Sequence, residues 1–204
     1  MEKTHDGKKN ATKKNAHRKK LYIIKTKNPT TINLTENYLY FWKTVSPFSQ
    51  WHHSPFADEH GHKFCNTEQY MMYYKALLFN DTVIAEQIIR TKNPKKIKKF
   101  GRQVKNFNED RWKLYREKIV YKGNLLKFIQ NKKLEKYILS TKKKILVEAS
   151  PYDSIWGIGL SESNAKKYPE SWGLNLLGKT LMRVRSRLEC RTHFKKYYPS
   201  DGFT

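Results

Sequence analysis

A lysine interrupts a run of residues that otherwise looks built for burial. In "FCNTEQYMMYYKALLF" (residues 64–79) almost every side chain from Tyr70 onward is apolar or aromatic, and Lys75 breaks the series. Glu68 stands seven positions earlier. At 3.6 residues per turn, positions 68, 71, 72 and 75 share one helix face, with Tyr70, Tyr74, Leu77 and Leu78 on the opposite side. A helix apolar on nearly all sides is a buried one. Burial disfavours the charged form of lysine and lowers its pKa, and a neutral lysine attacks carbonyl or imine carbon. Residue types alone leave a second reading open. Lys75 can snorkel to solvent or pair with a carboxylate, and Glu68 can simply complement the helix dipole.

Further groups stand where chemistry is often placed. In "KKILVEASPYDSIWGIGL" a short apolar run, residues 145–147, ends in Glu148, and Asp153 follows in a loop. Carboxylates in such places pass protons or stabilise oxocarbenium-like charge, as in glycoside cleavage; they also cap turns. Trp156 beside Gly157 offers a flat surface next to backbone that a ligand can approach, or plain packing. Asn175 and Gly178 open the last helix, where backbone amides attract anions and Asn175 can reach a ribose or base edge. The alternative is an N-cap and a glycine for close packing. Arg102 follows Gly101, an expected helix stop, and can hold phosphate bidentately or serve as an ordinary surface arginine. His52, His53, His60, His62 and Cys65 match no metal-site spacing, so no metal is expected. No Rossmann glycine fingerprint or Walker A run is present, and no cofactor is expected.

The elements that must position these groups follow from caps and periodicity. Residues 38–42 predict a strand. Asn66, with Gln69 three residues on, predicts a capping box and a helix to about residue 79. Asp81 caps "TVIAEQIIR". Asn93 and Pro94 open a helix that Gly101 should stop. Asn108 opens a longer one with Gly123 as an interruption, and Trp112, Tyr115, Ile119 and Leu126 recur at helical spacing as its core face. "KKLEKYILS" is a further short helix. Residues 145–147 form a buried strand, and residues 174–188 a last helix whose Arg183, Arg185 and Arg187 complement its dipole.

Composition bounds the class. The 204 residues fit one domain, and aromatics at 14% supply a substantial core. Lys+Arg 42 against Asp+Glu 18 gives a formal charge of +24, which favours an anionic partner, although AT-rich coding DNA also enriches lysine. Two cysteines make no disulfide framework and point to a reducing, intracellular compartment, cytoplasm or nucleus. No 18-residue apolar run exists, and no signal-peptide core stands at the N-terminus. Residues 1–31 are expected to form a basic, disordered arm, residues 32–188 the folded domain and residues 189–204 a tail.

These pieces, in this order, resemble the NADAR family, which includes the YbiA-type N-glycosidases. The matching stretches are "SPFSQW" (46–51), "FCNTEQYMMYYKALLF" (64–79), "NPKKIKKFGRQVKNFNEDRW" (93–112), "KGNLLKFIQNKKLEKYILST" (122–141), "LVEASPYDSIWGIGL" (146–160) and "WGLNLLGKTLMRVRSRL" (172–188). The block around Glu148, Asp153 and Trp156 is the most specific. The resemblance implies an α+β, predominantly α-helical single domain with a small β component. It implies hydrolysis of a bond between ribose C1 and an amine-type nitrogen. Two substrate groups go with it: ADP-ribose on guanine bases of DNA or RNA, and phosphoribosylamino-pyrimidine intermediates of riboflavin synthesis. Lys75, Glu68 and Asp153 become the catalytic candidates, with Lys75 forming a Schiff base at C1 and Glu68 shuttling protons. Phe48, Trp112 and Trp156 become walls for base or ribose, and Arg102 and Asn175 phosphate or ribose contacts. Ser49, Glu148, Gly157 and Gly178 complete the expected binding blocks. A non-catalytic reader of ADP-ribose or nucleic acid is the alternative from another class.

Overall fold

The computed structural model describes residues 37–197, with side chains through His193. The expected basic arm, residues 1–31, lies outside the described residues. Helix α1 (Thr67–Leu78) is the element against which α2 (Thr82–Arg90), α3 (Pro94–Arg102) and α4 (Glu109–Gln130) pack. Asn66 caps α1, its side chain accepting from the Gln69 N–H at 2.9 Å. The return half of the capping box takes another form. Gln69 Oε1 accepts from the Cys65 N–H, one residue before the cap, at 2.7 Å. The Gln69 amide also donates to the Ile88, Ile89 and Thr91 carbonyls at 2.9, 3.1 and 2.8 Å. One side chain thus starts α1 and satisfies the last carbonyls of α2.

Asp81, Asn93 and Asn108 cap α2, α3 and α4 as predicted, each accepting from backbone N–H groups of the first turn. Two glycines act differently from the expectation. Gly101 lies inside α3, and a Cβ there would stand 2.1 Å from Met72 Sδ. Gly123 does not interrupt α4; a Cβ there would stand 2.6 Å from the Tyr70 ring. Both let α1 side chains lie against a neighbouring helix backbone. Tyr115, expected in the core face of α4, is 44% exposed.

Strand β1 (Tyr38–Phe41) pairs in parallel with β4 (Ile145–Glu148), Phe41 opposite Glu148, after a crossover through α1–α4 and α5 (Lys132–Ser140). Leu146 faces the main core, and Val147 faces a smaller cluster with Ala149, Ile158 and Ala165. Burial on both faces explains the apolar pair Leu146 and Val147; Ile145, expected to be buried with them, is 37% exposed at the start of the strand. A second pair, β2 (Phe56–Ala57) with β3 (Lys63–Phe64), is too short to leave a periodic signal. After a short α6 (Glu162–Ala165), α7 (Leu176–Tyr197) packs on α4, α5 and β4. It starts two residues later than predicted because Asn175 adopts φ +50, and it runs on past residue 188. No helix among the described residues is long and apolar enough to cross a membrane.

Candidate active site

The parallel strands end level with each other, and a cavity of about 490 Å³ opens beyond their carboxyl ends. Glu68, Glu148 and Asp153 line it together with Trp51, Trp156 and Lys98. That end of a parallel pair is where α/β proteins commonly bind ligands.

Glu68 is held by the loop before α1. Its backbone N–H donates to the Gln50 carbonyl at 3.0 Å, and Thr67 Oγ1 donates to the same carbonyl at 3.2 Å. The loop is tied to α4 as well: Asn124 Nδ2 donates to Gln50 Oε1 at 3.0 Å, and Lys127 Nζ donates to the Ser49 carbonyl at 3.1 Å. Lys127 is fully buried, and burial pulls its pKa down to about 7. The Glu68 side chain is only 4% exposed, and burial pushes its pKa up to about 7. The charge of Lys98 and a hydrogen bond from the Trp51 indole oppose that rise, and the negative charge of Asp153 adds to it.

Glu148 ends β4. Its N–H donates to Asn175 Oδ1 and the Asn175 amide donates to the Leu146 carbonyl, both at 3.0 Å. Gly157 lets the following loop fold back over the strand end, since a Cβ there would meet the Glu148 and Asp153 carbonyls at 2.7 and 2.8 Å. Asp153 Oδ1 accepts from the Ile155 and Trp156 N–H groups at 2.9 and 2.8 Å, which fixes the turn that presents Trp156. Glu148 Oε2 is buried with no hydrogen-bond partner among the described residues. Burial first, and the charge of Asp153 second, push the Glu148 pKa up to about 8. At neutral pH the cavity is therefore lined by a protonated carboxyl, Glu148, and by a second one near its midpoint, Glu68, a pair suited to acid–base work.

The structure brings together Glu68, Asp153, Glu148, Trp156 and Ser49 from the sequence reading. Gly157 sits behind the wall. Other expected residues fall elsewhere. Lys75 shares the helix face of Glu68 but does not line the cavity. Its Nζ donates to the Gly101 carbonyl at 2.8 Å and lies 4.2 Å from the Phe107 ring centroid, half-buried, and no ion pair within 4 Å joins it to Glu68. Burial lowers its pKa, as the apolar run predicted. Trp112 is buried beneath Lys75, 5.6 Å from Nζ, rather than beside the cavity. Phe48 is wholly buried among Phe41, Phe128 and Tyr137, and lines a separate depression. Arg102 is exposed and reaches Glu68 only through its charge. Asn175 and Gly178 support the end of β4 and do not line the cavity. Both Asn175 polar atoms are used by β4, and a Gly178 Cβ would stand 2.1 Å from the Leu146 carbonyl. Sequence reasoning missed Trp51 and Lys98, although Trp51 closes the quoted "SPFSQW" block. It also missed Trp42, Lys43 and Tyr152 at the cavity mouth.

Comparison with known proteins gives the family and the fold. The N-glycosidase R617 of Acanthamoeba polyphaga mimivirus is 44% identical over 163 residues, which is 74% of this chain and 96% of that protein. The N-glycosidase Npun_R5314 of Nostoc punctiforme is 30% identical over 155 residues, 74% of this chain and 92% of its own length. The NMR structure of the E. coli protein YbiA superposes with a TM-score of 0.64 at 23% identity, covering 82% of this chain and 92% of that one, and so shares the fold. The NADAR domain profile matches residues 40–189, which include every cavity-lining carboxylate. The chain belongs to the NADAR domain family.

Proposed function

We propose that this chain is an N-glycosidase that removes ADP-ribose from guanine bases of DNA or RNA by hydrolysing the ribose C1–N bond. Cleavage of N-glycosidic bonds rests on the relatives named for it, which the chain covers over nearly their whole length. The observation that carries the chemistry is the meeting of Glu68, Glu148 and Asp153 at one aromatic-walled cavity. Glu148, protonated at neutral pH, gives its proton to the leaving guanine nitrogen as the C1–N bond breaks. The negative charge of Asp153 opposes the positive charge that develops at C1. Glu68 takes a proton from water as the water oxygen bonds to C1. The products are ADP-ribose with a C1 hydroxyl and the unmodified base, and solvent returns the proton from Glu68 to Glu148. The formal charge of +24 supports a polyanionic substrate.

A second route is favoured by the lowered pKa of Lys75. Here the ribose opens to an imine, the Lys75 amine adds at C1 and displaces the guanine amine, and water then releases the sugar and the free lysine. That route asks Nζ to leave the Gly101 carbonyl and swing into the cavity; the carboxylate route asks for no such movement. A second substrate, a phosphoribosylamino-pyrimidine, draws support from a maize relative named riboflavin biosynthesis protein PYRR, 30% identical, although the chain covers only 24% of that protein.

One assay tests these readings together. The protein is incubated with ADP-ribosylated guanine DNA and, separately, with the phosphoribosylamino-pyrimidine, and released sugar is measured. Release of ADP-ribose is expected; release from the pyrimidine alone refutes the substrate, and turnover of neither leaves the non-catalytic reader. Borohydride added during turnover should trap no sugar on the protein if the carboxylates act directly. Trapping that disappears in Lys75→Ala, together with lost activity, would establish the Schiff base.

A further inference from the structure

The mouth of the cavity carries features that the hydrolytic step does not use. Trp42 follows β1 and Tyr152 follows β4, and the level ends of the two strands bring the rings to 6.1 Å at an interplanar angle of 53°. Both line the cavity, yet they are 36% and 88% exposed. Tilted rings at this spacing form a corner, in which a planar group can lie on one face and meet the edge of the other. Isolated exposed aromatics are ordinary, but two that converge on a cavity are not scattered surface.

Lys43 stands beside them. Its Nζ lies 5.2 Å from the Trp42 ring centroid, and it too lines the cavity. Its φ is +66, a left-handed conformation that glycine or asparagine takes at lower cost. A cation and an aromatic corner at one rim match a phosphate joined to a nucleoside. A ribose monophosphate has no base to lie on the corner.

We propose that Trp42, Lys43 and Tyr152 form a nucleotide subsite at the cavity mouth. It holds the base and a phosphate of the distal nucleotide while the reacting ribose points inward to Glu68, Glu148 and Asp153. The subsite makes the enzyme selective for a sugar carried on a nucleoside diphosphate over a sugar 5-phosphate. This inference rests on the N-glycosidase reading and adds the element that selects the larger substrate.

The test compares two products as ligands, ADP-ribose and ribose 5-phosphate, by isothermal titration calorimetry. The wild type should bind ADP-ribose at least about tenfold more tightly, the scale of one base stack. In Trp42→Ala and Tyr152→Ala that ratio should fall to within about twofold. Lys43→Gly removes the cation while suiting the local φ, so it should fold at least as well as the wild type and still lose part of the ratio. Circular dichroism checks that each variant is folded. Equal wild-type affinity for the two ligands, or a ratio that survives in all three variants, overturns the subsite. Failure to hydrolyse any N-glycoside would instead overturn the enzymatic reading, and the binding ratio would still decide the subsite by itself.

Discussion

Replacing Glu148 with glutamine should make the protein more stable and far less active. In the native state the Glu148 carboxyl titrates at about 8 against an ordinary 4.5, because it is buried and faces Asp153. Between those two pH values the folded chain holds a proton that the unfolded chain has released. Stability therefore falls as pH rises through that window, by up to about 1.4 kcal/mol per pH unit from this group. At pH 7 the accumulated cost reaches up to about 3 kcal/mol, and above pH 8 it levels off. Glutamine has nearly the same volume and needs no proton, so Glu148→Gln escapes this cost. Urea unfolding from pH 5 to pH 9 measures it: the variant should be more stable than the wild type by a margin that grows to about pH 8. The same variant lacks the acid, and kcat/KM at pH 7 should drop by about 10²- to 10⁴-fold. Wild-type activity should decline above about pH 8 as the acid is lost. A stability margin that does not grow with pH, or a variant that keeps its activity, would refute the assignment of a protonated Glu148.

Gly178→Ala should cost roughly 1–3 kcal/mol, because its Cβ meets the Leu146 carbonyl at 2.1 Å and strand and helix must part. Thermal unfolding reads the loss, and since Leu146 lies two residues before Glu148, kcat should fall too while the protein stays folded. Lys127→Met should remove a rise in stability between about pH 7 and the ordinary lysine value of 10.5. Across that window the unfolded chain carries the proton and the native chain does not, so wild-type stability climbs with pH. Unfolding curves at pH 7 and pH 10 compare the two slopes; parallel slopes would show that the buried amine keeps its charge.

Local chemistry was legible in the chain alone. The caps Asn66, Asp81, Asn93 and Asn108 work through hydrogen bonds to residues two or three positions ahead, so near neighbours suffice to read them. The apolar run at residues 145–147 reads as a strand, covered on both faces at Leu146 and Val147, and the family blocks contain Glu68, Glu148, Asp153 and Trp156. Helical spacing also placed Lys75 and Glu68 on one face, and burial does lower the Lys75 pKa. What spacing could not say is what covers that face. α3 lays the Gly101 carbonyl over Lys75 and leaves Glu68, about 10 Å back along the axis, open to the cavity. Asn175 and Gly178 have the residue types of a ligand site, yet β4 occupies them both. Trp42 and Tyr152 are far apart in sequence and meet only because β1 and β4 run in parallel and end together. Backbone propensity and capping are decided over a few residues. A cavity is made by side chains from distant segments, and which of them face it depends on how those segments pack.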